Sequence, residues 1–590
     1  MSKSVTHTFH IPVMGLGFSI DTPLNVAPYG ISSVISLVDD MLIERMRELY
    51  SKKLNIPFKP ISIKDKDHRA ERIKAYLDLM DDMVQRKFEE VKQSVHHKGL
   101  EIKKYMDMLP DFSKIKNDFQ EIVQNSQLKD VYDWVQDHIS AGSIDVNIMT
   151  KLDKENYYKS EKLSDEYNDA HAALRGFAES KLDSSLVLSA GMNPKLYGYL
   201  EQFEDFYPNS TGYIKKKVTL KVSDYRSALI QGKFLAKKGI WVSEFRVESG
   251  LNCGGHAFAT DGYLMGPILE EFKNSREELE LNMYELYAAA LETKNRYCPE
   301  TAPAIKITAQ GGVGTANEHQ FLMDHYNLDS VGWGSPFLVV PEVSSIDDET
   351  VQRLCDAKEE DLYLSGISPL GVKFNNLRGN TQDQIRDRLI EEGNPGSTCP
   401  KQYAMINPEF GGKPMCSASK KFQKLKVEQL NAKELDAEAH QKELDVIYEK
   451  SCICVGLSNA SLLTNDLDHK IEGEGVSVCP GPNMAYFTKR STLQQMTDHI
   501  YGRTNLIERT DRPNLFIKEL SLYIDFLKTK MEELPKPISV KDMRGLNKFK
   551  KNLDHGIEYY KDLFKQKVNE IKEDLSHDLE VLETKLNKML

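Results

Sequence analysis

A chain of 590 residues, 40% hydrophobic and 28% charged, has the composition of a soluble globular protein and enough length to bury a large core. Its formal net charge of −12 and pI of 5.8 argue against a broad nucleic-acid-binding surface or one built for anionic membranes. No uninterrupted apolar run reaches the ~18 residues of a membrane span. The start, Met1-Ser2-Lys3-Ser4-Val5-Thr6-His7, lacks an apolar signal region. The expectation is a cytoplasmic protein whose eight cysteines are reduced unless they bind metal or do chemistry.

The predicted elements alternate in type. Residues 10–15 read as a first strand ending in glycine, followed by a short helical stretch over 22–29 and a second strand over 31–38. Residues 40–140 are charged and helical in period, a helical insertion after strand two. Further strands are predicted over 144–149, 185–191 and 216–222, with a helix over 164–180; Ser223-Asp224 then caps a helix running to 238. The sixth, seventh and eighth strands fall at 240–247, 304–309 and 328–333, with a Glu-rich helix between the sixth and seventh. Strand alternating with helix argues for a parallel sheet, and eight such units for an α/β fold, a (β/α)8 TIM barrel over residues 1–345. An open doubly wound sheet is the alternative. Residues 346–500 read as a loop-rich, cysteine-containing cap segment. Residues 501–590 read as a helical hairpin, with leucines at helical spacing from Leu563 to Leu590, that packs on the barrel or forms a homo-oligomer through the helical appendages.

Two strands end abruptly in glycine: Gly250-Leu251-Asn252-Cys253-Gly254-Gly255-His256 after the sixth, and Gly311-Gly312-Val313-Gly314-Thr315 after the seventh. Glycine lets backbone amides approach a ligand with no Cβ in the way, and a helix N-terminus behind such a loop favours a phosphate. Two such loops in neighbouring units point to a barrel whose last loops hold a phosphorylated cofactor; tight turns without a ligand are the plain alternative. His256 titrates near neutral pH, so it is a candidate to move a proton, to contact the cofactor, or only to hold the loop. Cys253 at the barrel mouth is a candidate proton donor, nucleophile or metal ligand, against a small buried apolar residue.

The first glycine segment resembles the Gly-x-Glu-Ala-Gly-Gly-His of nitronate monooxygenases, also called 2-nitropropane dioxygenase-like proteins. Ala309-Gln310-Gly311-Gly312-Val313-Gly314-Thr315 is similar to their Ala-x-Gly-Gly-Ile-Ala/Gly-Thr loop. Asp329 to Leu338 resembles their final Gly-x-x-x-Gly-Thr-x-Phe-Leu strand, and Asp145-Val146-Asn147 their Gly-Val-Asn on strand three. The likeness covers roughly residues 8–345 without the insertion. It implies a TIM barrel that binds FMN non-covalently. Gly254, Gly255, Gly311, Gly312 and Gly314 would line its phosphate, Gly334 and Ser335 would close that pocket, and Met14, Gly15 and Asn147 would lie beside the ring. His256 occupies the place of the family's active-site base. Asn252 stands where Glu is frequent and Cys253 where Ala is frequent. The same barrel and Gly-Gly-His occur in flavin-dependent enoyl-acyl-carrier-protein reductases. The resemblance thus implies an FMN-dependent oxidoreductase of nitronate monooxygenase-like type with a small-molecule or carrier-bound acyl substrate. An enoyl-thioester reductase, drawing on NAD(P)H or a ferredoxin instead of consuming O2, is the alternative. A non-catalytic flavin-binding assembly protein is the reading from another class.

Cys399, Cys416, Cys452, Cys454 and Cys479 sit in apparent loops without a compact Cys-x2-Cys spacing. Three readings stand: buried reduced thiols, zinc, or a [4Fe–4S] cluster held by Cys399, Cys416, Cys479 and one of Cys452 and Cys454. Arg378, in a loop beyond the barrel, reads as a solvated turn residue or as an anion holder above the flavin.

Overall fold

Eight short parallel strands close on themselves. They are β1 (Phe9–Ile11), β2 (Ser32–Ser36), β3 (Ile144–Ile148), β4 (Ser185–Leu188), β5 (Lys217–Val222), β6 (Val242–Glu248), β7 (Lys306–Gln310) and β8 (Ser330–Gly332). Around the barrel the order is β1-β8-β7-β6-β5-β4-β3-β2. β1 pairs with both β2 and β8, which closes the sheet and excludes the doubly wound alternative. Every predicted strand is present, and the fold is the expected (β/α)8 barrel. This computed structural model describes residues 6–589 apart from 97, 98, 190, 260 and 536; Ala190 of the fourth predicted strand, and Leu590 at the end of the leucine series, lie outside the described residues.

Alternation along the strands builds a polar barrel interior. On β6, Phe245 and Val247 face the surrounding helices, whereas Glu244, Arg246 and Glu248 point inward. Glu244 accepts hydrogen bonds from Thr308 Oγ1 at 2.6 Å and Arg246 Nε at 2.8 Å. Burial alone would raise its pKa; the charge of Arg246, with help from His10 and these hydrogen bonds, outweighs that and holds it at about 2. The floor of the barrel is thus a fixed ion pair, and the ligand space lies above it.

Five helices fill the insertion between β2 and β3. The long one, His68–Gln93, presents Ile73, Tyr76, Leu77, Met80 and Val84, all fully buried, at the spacing of one helical face. Its Arg69 and Arg72 both reach Asp40 of the first insertion helix, at 2.5 and 2.9 Å, and Arg69 also donates to the Leu37 and Val38 carbonyls just after β2.

The segment beyond the barrel departs from expectation. Residues 346–500 carry six helices and an antiparallel hairpin of β9 (Leu362–Ser365) and β10 (Phe374–Leu377). Helix Ile453–Thr464 escaped the sequence reading because it is apolar on nearly every side and therefore has no amphipathic period. The described residues of 501–590 form three helices rather than a hairpin: Leu515–Glu533, Val540–Ile571 and Ser576–Asn587. The last two part at Lys572, a left-handed residue (φ 60°) that ends the long helix. Among the described residues no helix is long and apolar enough to cross a membrane.

Candidate functional site

The C-terminal ends of the strands open into a cavity of about 1450 Å3, mouth included. Met14 and Gly15 enter it from the loop after β1, and Asn147 from β3. Cys253, Gly254, Gly255 and His256 line it from the loop after β6. Gly311 and Gly312 reach it after β7, and Gly334 and Ser335 after β8. Gly314 does not line it. An added Cβ there would lie 2.6 Å from the guanidinium of Arg512, on the side away from the cavity.

The post-barrel segment roofs this cavity. His256 forms a β-bridge with Phe374, and the Gly255 carbonyl accepts from the Asn375 amide at 2.9 Å, so β10 lies along the Gly-Gly-His loop. The Cys479 carbonyl takes the Gly255 amide at 3.0 Å, and Ser461 Oγ donates to the Gly17 carbonyl at 2.7 Å from the Ile453–Thr464 helix.

The loop after β7 is gripped from outside. Arg512 Nη2 donates to the Gly312 carbonyl, Asn483 Nδ2 to that of Val313 and His499 Nε2 to that of Gly314, each at 2.8 Å. A peptide whose carbonyl is drawn outward turns its N–H the other way. Among the described residues the amides of Gly254, Gly311, Gly312 and Val313 donate no hydrogen bond. The amides of Gly314 and Thr315 are spent instead on Glu318, at 2.9 and 3.2 Å, in the capping box that starts helix Ala316–Tyr326. The helix N-terminus expected to face a phosphate is therefore self-capped, and the free donors are those of the glycines before it.

The residues present fit FMN. Free glycine amides suit a doubly charged phosphate. Two buried side-chain oxygens on the wall, Asn252 Oδ1 and Gln310 Oε1, have no partner among the described residues, which is costly unless a ligand donor meets them. At Gly255 (φ 79°) an added Cβ would meet nothing within 4 Å, so the backbone there borders open cavity.

His256 Nε2 lies 2.7 Å from Ser368 Oγ, and its ring stands edge-on to Phe374. Burial, then the charges of Lys151 and Lys221, push its pKa down to about 4, so the imidazole is neutral at neutral pH. Cys253 Sγ donates to the Gln310 carbonyl at 3.3 Å. Burial holds its thiol well above the usual value, so it is no thiolate. On the wall, Lys221 pairs with Glu248 at 2.8 Å, and Glu248 also accepts from Gln310 Nε2 at 2.7 Å.

Of the five cap cysteines, Cys399, Cys416, Cys452 and Cys454 lie near enough to act on one another's thiols, whereas Cys479 stands apart on the cavity wall. Cys399 and Cys416 share a thiol–thiol hydrogen bond that lowers the pKa of Cys399 to about 7 and raises that of Cys416. Cys452 and Cys454 are buried, and Cys479 lines the cavity under β10. Among the described residues no group of three or more His, Cys, Asp or Glu side chains is arranged to hold a metal ion. Arg378 stacks over Tyr363 and donates to the Glu360 carbonyl, away from the cavity.

Sequence reasoning missed Lys151, Lys221, Glu248, Ser368 and Arg512. For Lys221 and Glu248 a signal existed, since each is a charged residue at the inward register near the end of an apolar strand. Ser368 and Arg512 lie in irregular segments, where no periodicity says what they face.

No known protein-family profile and no curated protein matches the chain. Among solved structures it is similar to FabK from Thermotoga maritima, at 10% identity and a TM-score of 0.36, over 89% of this chain and 96% of that one. It is similar to the enoyl reductase domain of MlnA from the macrolactin biosynthesis cluster of Bacillus amyloliquefaciens (14%, TM-score 0.33, 66% and 86%). It is also similar to nitroalkane oxidase from Streptomyces ansochromogenes (10%, TM-score 0.34, 84% and 95%). At these scores the likenesses carry no weight for the chemistry, which rests on the cavity.

Proposed function

We propose that the chain is an FMN-dependent oxidoreductase whose substrate reacts in the cavity above the barrel. The observation that carries this reading is the set of unbonded amides at Gly254, Gly311, Gly312 and Val313, from adjacent loops that open into one space. Bound there, FMN supplies an acceptor or donor of an electron pair. The chain's own groups do the rest. The roof of β10 and the Ile453–Thr464 helix excludes bulk water. His256, neutral and hydrogen-bonded to Ser368, has one ring nitrogen without a proton and is the group placed to accept one from a carbon acid. A proton acceptor at that place suits proton abstraction of the nitronate monooxygenase type. The reading invokes no iron–sulfur centre.

The test compares FMN with riboflavin in titrations of the purified full chain, followed by flavin absorbance and fluorescence. Two charge-assisted hydrogen bonds to the phosphate are worth ~3 kcal/mol, so FMN should bind about 100-fold more tightly than riboflavin. Equal affinity, or no flavin binding by a chain with a folded circular dichroism spectrum, sinks the proposal.

A further inference from the structure

Among the described residues three charged side chains line the cavity: Lys151, Lys221 and Glu248. Lys221 and Glu248 neutralise one another. Lys151 makes no ion pair among the described residues, and its ammonium lies 5.2 Å from the centre of the Phe258 ring. The cavity therefore carries one uncompensated positive charge, on an exposed side chain at its rim.

Its position separates it from the glycine loop after β7. In the strand order β1-β8-β7-β6-β5-β4-β3-β2, β3 stands diametrically across the barrel from β7. Lys151 follows the end of β3, and Gly311 and Gly312 follow the end of β7. One anion gripped by the Gly311 and Gly312 amides does not also sit on Lys151. Phe258 lies against Lys151, Met149 lines the cavity two residues before it, and Leu370, Val372 and Phe374 add apolar lining from the stretch that pairs along Gly255–Ala257. That combination, an apolar wall ending in one cation, is complementary to a chain with one anionic group.

We propose that Lys151 receives an anionic group, a carboxylate or a phosphate, borne by an apolar chain that lies against Phe258, Leu370, Val372 and Phe374, and that the substrate belongs to this amphipathic anionic class. That this ligand is the substrate rests on the flavin reading; the anion subsite itself does not. The anion has two sources, a free carboxylic acid or the phosphate of a pantetheine-linked acyl group.

The test is calorimetric titration of the full chain, with and without added FMN, using hexanoate against 1-hexanol, and hexanoyl-pantetheine with against without its 4′-phosphate. At least one anion should bind about tenfold more tightly than its neutral partner. A preference for hexanoate identifies the free acid, and a preference for the phosphate identifies the carrier-borne group. Lys151→Gln should abolish the preference and Lys151→Arg keep it, with the melting temperature unchanged because the side chain is exposed. The inference is overturned if neither anion is preferred by the unaltered chain, or if Lys151→Gln retains the preference. A chain that prefers the anion yet binds no FMN refutes the flavin reading alone. One that binds FMN without any anion preference refutes the subsite alone.

Discussion

Arg512 and Glu318 meet through two hydrogen bonds of 2.8 Å, one to each carboxylate oxygen, with both side chains more than nine-tenths buried. Glu318 caps the helix that follows the β7 loop, and Arg512 enters from the segment ahead of the C-terminal helices. The same guanidinium holds the Gly312 carbonyl and Asn483. The C-terminal extension is thus part of the glycine loop's support, fixing the direction in which its amides point.

Removing Arg512 strands Glu318 as a buried charge. Arg512→Met should destabilise the fold by about 3–5 kcal/mol, the usual cost of breaking a buried pair from one side. It should also weaken FMN binding at least tenfold, because the Gly312–Val313 peptide is free to turn. Adding Glu318→Gln should recover much of the stability but not the affinity. Thermal melts and flavin titrations of the two variants decide it, and an unshifted melt for Arg512→Met would contradict the pairing.

His256 sets the acid limb of activity. Its pKa falls to about 4 through burial and through Lys151 and Lys221. Turnover should therefore be flat in this group across pH 6–8 and decline only as pH drops towards 4. Removing one of the nearby charges, in Lys151→Gln, should move that limb upward. A limb at the ordinary histidine value of about 6.5 in the unaltered chain would show that the imidazole is solvated.

Glu519 gives the C-terminal helices a pH dependence of opposite sign. It is almost fully buried, accepts from Ser249 Oγ at 2.5 Å and the Met265 amide at 2.9 Å, and burial raises its pKa to about 7. A carboxyl raised in the folded state contributes stability that is fully present below the unfolded value of 4.5 and is lost as pH rises through 7. The loss is on the order of 3 kcal/mol. Glu519→Gln should flatten this dependence, so the variant should melt closer to the parent, or above it, at pH 8.5 than at pH 5. Parallel melting curves at both pH values would exclude a protonated Glu519.

The barrel was legible in the sequence because each strand is a short β-branched run ended by glycine or a turn, and closure needed only eight such units. The glycine loops were legible for the same reason, since Gly254, Gly255, Gly311 and Gly312 come soon after strands. Gly314 shows the limit. Its position in the loop says nothing of the self-capping Glu318 or of Arg512 packed behind it, because those partners come from a helix turn and a distant irregular segment. The roof was illegible: Ile453–Thr464 has no polar face, and the contacts of β10 with His256 depend on long-range pairing. The cysteines were legible only as loop residues, because proximity to proline and glycine does not say that Cys399, Cys416, Cys452 and Cys454 approach one another while Cys479 lies on the cavity wall.

The roof is anchored by one buried charge pair. Lys401, in the irregular segment ahead of helix Lys420–Asn431, donates to Asp39 at the end of β2, and both are 1% exposed. Ser458 Oγ and the Tyr403 hydroxyl also donate to Asp39, at 2.6 and 3.0 Å. Burial alone would raise the Asp39 carboxyl; the charge of Lys401 and these hydrogen bonds outweigh it and hold the pKa low. The stability this contributes is present above the unfolded value of 3.8 and is lost only in stronger acid. Lys401→Met leaves Asp39 charged and buried, so it should cost about 3–5 kcal/mol and expose residues 397–420 to trypsin. Asp39→Asn keeps the acceptor that caps helix Asp40–Lys53 through the Leu42 amide. The double variant removes both charges and should therefore regain much of the melting temperature lost by Lys401→Met. If the double variant melts no higher than the single one, the anchor is packing and not the ion pair.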